Sequence, residues 1–477
     1  MTEWWRGAVI YQVYPRSFSD SNDDGIGDLP GLLSRLDYIA RLGVDALWIS
    51  PFFTSPMRDY GYDVADFCGV DAIFGTLADF DQIVARAHAL GLRVIIDQVY
   101  SHTSDQHPWF AESRSGGNAP RADWYVWADP KPDGSPPNNW QSLFVGPAWT
   151  WDARRRQYYL HNFLREQPDL NLLNPAVQDA LLEVTRFWLD RGVDGFRIDA
   201  VSHFTHDEQL RDNPPRSAGP RTRPVDYQQL LYNSDRRETL AFLERLRAVL
   251  DGYPDRFALG EIGGPDSAQR GFAEYLAGGR LHSAYSFLFL RADVLTPQLV
   301  RQTVAEWDRQ QPQAWPTWVF SNHDAPRVVS RWGGEAPRAQ YATLLNALLL
   351  ALRGSVCLYQ GEELGPAAGT CALRAAARPG GDRELAADIW PRWRAHAHPL
   401  DGCRAPCGFF RRGTLVAGGS AAFGSRGGSA ARCRRIGPRS DARPVEPAAR
   451  TRGAAARRPR VSRGGRAAAR VRASCGR

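Results

Sequence analysis

Cysteine is scarce through most of the chain. Of 477 residues, only Cys68 and Cys357 precede position 370, while Cys371, Cys403, Cys407, Cys433 and Cys475 crowd the end. That distribution is not the even spacing of a disulfide framework, so reduced thiols are expected. No uninterrupted apolar run approaches the roughly 18 residues that a membrane span needs. The start, MTEWWRGAVIYQ, lacks the basic, apolar and small-residue order of a secretion signal, and a cytoplasmic location without membrane contact is expected. Lysine is absent from residues 401 to 477, which hold 19 Arg against three acids, Asp401, Asp441 and Glu446. This stretch therefore carries +16, leaving −9 on the first 400 residues of a chain whose net charge is +7. An acidic body with a basic tail is not a basic nucleic-acid-binding domain, and the tail's aromatics are confined to Phe409, Phe410 and Phe423. No nucleic-acid partner is expected.

What is present is a long series of alternating strand-like and helix-like segments. Eight apolar or β-branched runs have strand length: 8–15, 44–53, 93–99, 195–201, 256–263, 284–287, 315–320 and 355–364. Amphipathic segments such as LPGLLSRLDYIARLG and VQDALLEVTRFWLDRG lie between most of them, several ending at Gly as a helix stop should. Eight βα units predict an α/β chain folded as a closed (β/α)8 TIM barrel with its chemistry at the carboxyl ends of the strands. The connection after the third strand is too long for a loop, so residues 105–173, rich in Trp, Pro, Gly and Asn, are expected to form an inserted subdomain over the barrel mouth. The barrel then divides into residues 1–104 and 174–370. Residues 371–477 lose apolar periodicity and become Arg, Ala, Gly and Pro in near-random order. This composition predicts an aberrant, disordered tail and reads as out-of-frame translation of a GC-rich gene. His396, His398, Cys403 and Cys407 match no common zinc spacing.

Three acids end strand-like runs: Asp199 in DGFRIDAV, Glu261 in RFALGEIG and Asp324 in WPTWVFSNHD. Arg197 and Asp199 are two apart, so on a strand both point to one face, and the guanidinium favours an ionised carboxylate able to attack an anomeric carbon. Glu261, among apolar residues before a Gly-Gly turn, is placed to hold a proton for a leaving oxygen. Asp324 follows His323 where a strand runs out, so a turn presents both to sugar hydroxyls. His102 offers a ring N–H to a hydroxyl, Tyr62 a flat face to a sugar ring, and Asp59 an anchor for a terminal residue. Taken singly, each has a blander reading as an ion pair, a cap or core packing; together, at strands four, five and seven of one barrel, the acids point to glycosidic-bond chemistry. In DSNDDGIGD, Asp20, Asn22, Asp24, Ile26 and Asp28 stand at alternating positions. This pattern leaves a cation loop and a metal-free Asp/Gly turn both open.

In order and spacing, DQVYSHTS, GFRIDAV, LGEIG and FSNHD resemble the four motif regions of the α-amylase superfamily, glycoside hydrolase family 13. QPDLN at 167–171 resembles the additional motif of its α-glucosidase and oligo-1,6-glucosidase branch, and HDEQLRDNPP at 206–215 is similar to bacterial α-glucosidases acting on short substrates. The resemblance covers about residues 4 to 365. It implies a retaining, exo-acting α-glucosidase, with Asp199 as nucleophile, Glu261 as acid/base and Asp324 stabilising the distorted sugar. It also implies sugar binding by Asp59, Tyr62, His102, Arg197 and His323, hydrophobic walls at Phe144 and Phe163, and a preference for α-1,4 links from the small Ala200. The substrate is then a small oligosaccharide or α-glucoside, released as glucose or transferred to another hydroxyl. The resemblance tips the Asp-rich loop toward a structural Ca2+ or Mg2+, with no cofactor for catalysis. Two departures stand out. The segment DGCRAP at 401–406 carries Leu400 where the family pattern has Arg, and the eighth helix and C-terminal β-domain are missing or scrambled. The alternative is therefore a catalytically impaired or non-enzymatic member.

Overall fold

The computed structural model describes residues 3–365, apart from 145, 218, 220–221, 264–272, 311–313 and 334–337. The basic tail, the His396–Cys407 group and the DGCRAP segment lie outside the described residues. Eleven strands, numbered in chain order, are described. Eight of them close a parallel barrel: β1 (Val9–Val13), β2 (Ala46–Ile49), β3 (Arg93–Gln98), β7 (Gly195–Ile198), β8 (Phe257–Ile262), β9 (Ser283–Ser286), β10 (Thr317–Val319) and β11 (Ser355–Tyr359). Each overlaps one of the eight runs read from the sequence.

Strand alternation sorts these residues onto two faces. Ile10, Trp48, Ile95, Leu259, Tyr285 and Cys357 pack together inside the barrel. Their neighbours Tyr11, Leu47, Ile96, Phe196 and Ala258 join the larger cluster shared with the helices. Along the inward face, polarity rises toward the carboxyl end: Ile10 is followed by Gln12, Ile95 by Asp97, Gly195 by Arg197, and Leu259 by Glu261. The same period-two geometry that fills the floor with apolar side chains thus delivers charged ones to the mouth. At Gly195 a Cβ would stand 2.6 Å from the Phe257 carbonyl oxygen, so only glycine lets β8 approach this closely.

The helices start where capping chemistry allows. Asp28 caps α1 (Leu29–Arg41) by accepting from Gly31 N at 2.6 Å, and Thr76 with Asp79 forms a capping box on α2 (Leu77–Ala89). After the short α3 (Pro108–Ser113), Asn174 caps α4 (Pro175–Asp190), whose first residue is proline. Helix α2 stops before Gly91 (φ 78°) and α4 before Gly192 (φ 90°), both in the left-handed region that glycine enters freely. Helix α5 (Glu238–Asp251) and the helices Pro297–Gln310 and Arg338–Ala351 continue the outer layer. Leu344 and Leu350 on the last of these, and Leu364 in the turn after β11, are each more than half exposed. Among the described residues no helix is long and apolar enough to cross a membrane.

Between β3 and α4 the chain builds an antiparallel sheet of β4 (Trp127–Ala128), β6 (Gln157–Leu160) and β5 (Trp149–Asp152), in that order. It has its own core around Val126, Trp140, Trp149 and Leu160. The returning segment pairs with the loop just after β3: Leu170 N donates to Ser101 O (2.9 Å) and Thr103 N to Pro168 O (3.2 Å). The loop after β7 packs on the sheet, where the Trp140 indole donates to Arg211 O at 2.9 Å.

Candidate active site at the barrel mouth

The centre of the site is a guanidinium with no exposed surface. Arg197 Nη1 donates to Asp199 Oδ1 (2.6 Å) and Asp97 Oδ1 (2.5 Å), and Nη2 lies 2.6 Å from Glu261 Oε2. Nε and Nη2 also donate to the Tyr285 hydroxyl at 3.2 and 2.8 Å. One cation therefore holds three buried carboxylates. Burial opposes the charge of Arg197, but Asp97 and Glu261 outweigh it and hold the guanidinium well above its ordinary range. Burial pushes the Asp97 carboxyl up to about 6 against the pull of Arg197. Asp199 and Glu261 are 2% and 7% exposed, so both reach the mouth without being solvated like surface acids.

Immediately after Asp199 the backbone turns sharply. Ala200 adopts φ 46°, ψ 43°, and its N–H donates to Glu261 Oε2 at 3.1 Å. A non-glycine residue in this region costs about 1 kcal/mol or more, and a β-branched side chain here is a conformational outlier. The turn orients one carboxylate and supplies a hydrogen bond to the other.

The remaining sequence-derived residues fall around this centre. Tyr62 stacks on His323, with centroids 5.2 Å apart and planes 8° from parallel, and its hydroxyl lies 2.7 Å from His323 Nε2. Gln12 Nε2 approaches His323 Nδ1 at 2.9 Å, and Asp324 Oδ2 is 3.5 Å from Nε2. Asn322 folds back on its own turn, accepting from Asp324 N and Ala325 N at 2.9 and 3.0 Å. On the other flank Gln167 Nε2 donates to Asp59 Oδ2 (2.9 Å) and lies 3.0 Å from His102 Nε2. Phe163 packs on His102 at 5.1 Å between centroids, and Phe144 on Phe163 at 5.7 Å, so the inserted segment brings its aromatic pair to the site. Sequence reasoning missed Asp97, Gln12, Gln167 and Tyr285. Asp97 and Gln12 were legible as inward positions two residues beyond Ile95 and Ile10; Gln167 stands in QPDLN, whose pairing with Asp59 exists only in three dimensions.

In the Asp-rich loop the acids accept from nearby backbone N–H groups. Asp20 accepts from Asn22 N, Asp23 N and Gly25 N, at 3.1, 2.8 and 2.8 Å. Asp24 accepts from Ile26 N (2.7 Å), and Asp28 is occupied by Gly31 N and the Ser21 hydroxyl. Among the described residues no group of three or more His, Cys, Asp or Glu side chains is gathered to hold a metal ion. Asp20, Asn22, Asp24, Ile26 and Asp28 thus stand in a turn closed by its own hydrogen bonds. The physical reason is that a short carboxylate followed by Gly and Asp satisfies nearby backbone N–H groups without help.

Comparison with known proteins matches this architecture. The family model described as alpha amylase, catalytic domain, matches residues 12–382. A probable alpha-glucosidase of Rhizobium meliloti is 55% identical over 416 residues, covering 85% of this chain and 73% of the relative. An oligo-1,6-glucosidase of Heyndrickxia coagulans is 40% identical, over 76% of this chain and 67% of the relative. The crystal structure of XgtA, an alpha-glucosyl transfer enzyme, superposes with a TM-score of 0.78 at 53% identity, covering 83% of this chain and 74% of that one. With eight parallel strands closed into a barrel and acids at their carboxyl ends, the chain belongs to the α-amylase catalytic-domain family of glycoside hydrolases.

Proposed function

We propose that the protein is a retaining, exo-acting α-glucosidase that releases or transfers terminal glucosyl groups from short α-glucosides, with α-1,4 links preferred. The observation that carries this reading is the sharing of one buried guanidinium by Asp199 and Glu261. Glu261 gives its proton to the glycosidic oxygen as the C–O bond breaks, while an Asp199 oxygen bonds to the anomeric carbon from the opposite face. The product is a β-linked glucosyl-enzyme. Glu261, now ionised, takes a proton from water or a sugar hydroxyl, whose oxygen displaces Asp199 and restores the α configuration. Arg197 offsets negative charge throughout, and His323 with Asp324 supports the distorted ring. Asp59, buried beside Gln167 and His102, supports the exo-acting reading as the carboxylate that would anchor the terminal glucose. In this reading residues 105–173 are the subdomain that walls the site through Phe144 and Phe163.

Leaving-group dependence tests the acid. Glu261→Gln is expected to lower kcat/KM, which reports the bond-breaking step, by about 10³-fold on maltose, but on p-nitrophenyl α-glucoside by much less, because p-nitrophenolate departs without a proton. Equal losses on both substrates would assign Glu261 another role. The linkage preference is checked by kcat/KM for maltose against isomaltose, with the higher value expected for maltose.

We also infer that the loop at 20–28 suits a structural Ca2+ or Mg2+, because its donor set is oxygen alone and an oxygen bonded to one N–H keeps a second lone pair. The check is thermal unfolding with EDTA and with added CaCl2. A Tm raised by calcium and lost in Asp20→Ala supports the ion; an unchanged Tm leaves the loop a metal-free turn.

A further inference from the structure

We propose that Glu362, which touches no residue that would contact substrate, is a positioning residue: it clasps the turn Ser321–Asp324 through Ser321 and thereby sets His323 and Asp324. This rests on the glucosidase reading above. Glu362 follows β11, where Gly361 at φ 86° turns the chain back into the barrel end. It is 4% exposed. Its Oε1 accepts from the Ser321 hydroxyl and its Oε2 from Tyr359 N at 2.9 Å. Ser321 Oγ in turn accepts from Val328 N at 3.3 Å, so the hydroxyl ties both ends of the turn to the end of the last strand. The helix Arg338–Ala351 secures the other side of the clasp, with Asn346 Nδ2 donating to Glu362 O at 3.1 Å.

The pattern of two accepted hydrogen bonds is that of an ionised carboxylate; a protonated one gives up one acceptor position to its own hydrogen. Burial raises the Glu362 carboxyl to about 7, opposed by Ser321, Tyr359 N–H and Arg327. The other charged or titratable neighbours are Glu363, Arg331, Cys357 and Tyr359. The clasp is therefore made and loosened within the range where the enzyme is assayed, separately from the acids that touch substrate.

The experiment is the pH dependence of kcat on p-nitrophenyl α-glucoside for the full chain and for Glu362→Gln and Ser321→Ala. The unmodified protein is expected to lose activity as pH falls through about 7, in addition to the limbs set by the reacting acids. In both variants that limb should vanish, with kcat about tenfold lower at pH 8 and KM changed less. Persistence of the limb in either variant would overturn the clasp: in Glu362→Gln because another group titrates, in Ser321→Ala because Glu362 acts by another route. Absence of turnover in the unmodified protein would sink the glucosidase reading instead, and the clasp then has a readout without activity. The folded-state value lies above the ordinary 4.5, so the protonated acid contributes stability that is complete below about 4.5 and lost as pH rises through about 7. Glu362→Gln should flatten the pH dependence of the unfolding midpoint across that window, and an unchanged slope would contradict the assignment.

Discussion

Asp199→Ala is expected to abolish release of p-nitrophenol from its α-glucoside, lowering kcat by at least about 10⁴-fold while the protein stays folded. The size follows from the role. No neighbouring group can form the covalent bond in its place: Asp97 is fully buried beneath Arg197, and Glu261 is held on Nη2 with the Ala200 N–H. Stability should change little, because Arg197 retains two carboxylates after the third is removed. Azide added to the variant should restore turnover by entering the space of the lost carboxylate and yield a glucosyl azide, an outcome that a purely structural Asp199 would not give.

Arg197→Met is the second large effect, and it reaches stability as well as activity. Removal of a cation from three buried carboxylates leaves Asp97, Asp199 and Glu261 facing one another without compensation. Breaking a buried pair in this way costs about 3–5 kcal/mol, far more than a surface ion pair. The change should appear as a lowered urea midpoint at pH 7, with part of the loss recovered toward pH 5 as Asp97, already raised to about 6, takes up a proton. An unfolding free energy within about 0.5 kcal/mol of the unmodified protein's, the range of ordinary surface substitutions, would mean that Arg197 does not organise the site.

Much of this site was legible in the chain because strand geometry is periodic. A carboxylate two residues after an inward arginine must share its face, which is why Asp199 and Arg197 could be paired before any coordinates. The same alternation brings Glu261 inward after Leu259, and it would have delivered Asp97 and Gln12 had it been applied to β3 and β1. What the sequence withheld depends on contacts between distant segments. Gln167 reaches Asp59 only because QPDLN returns to pair with the loop after β3. The clasp of Glu362 on Ser321 requires the last two barrel strands to be neighbours. The Asp-rich loop is ambiguous for a different reason, since short acids spaced by two serve equally as metal ligands and as acceptors for their own backbone, and composition does not separate the uses.

The central claim is that Asp199 and Glu261 act on one sugar from opposite sides through a covalent intermediate. Proton NMR of the first glucose released from p-nitrophenyl α-glucoside, whose leaving group carries no anomeric centre, recorded before mutarotation, tests it most directly. The α anomer is the expected product; initial accumulation of the β anomer would contradict the double displacement.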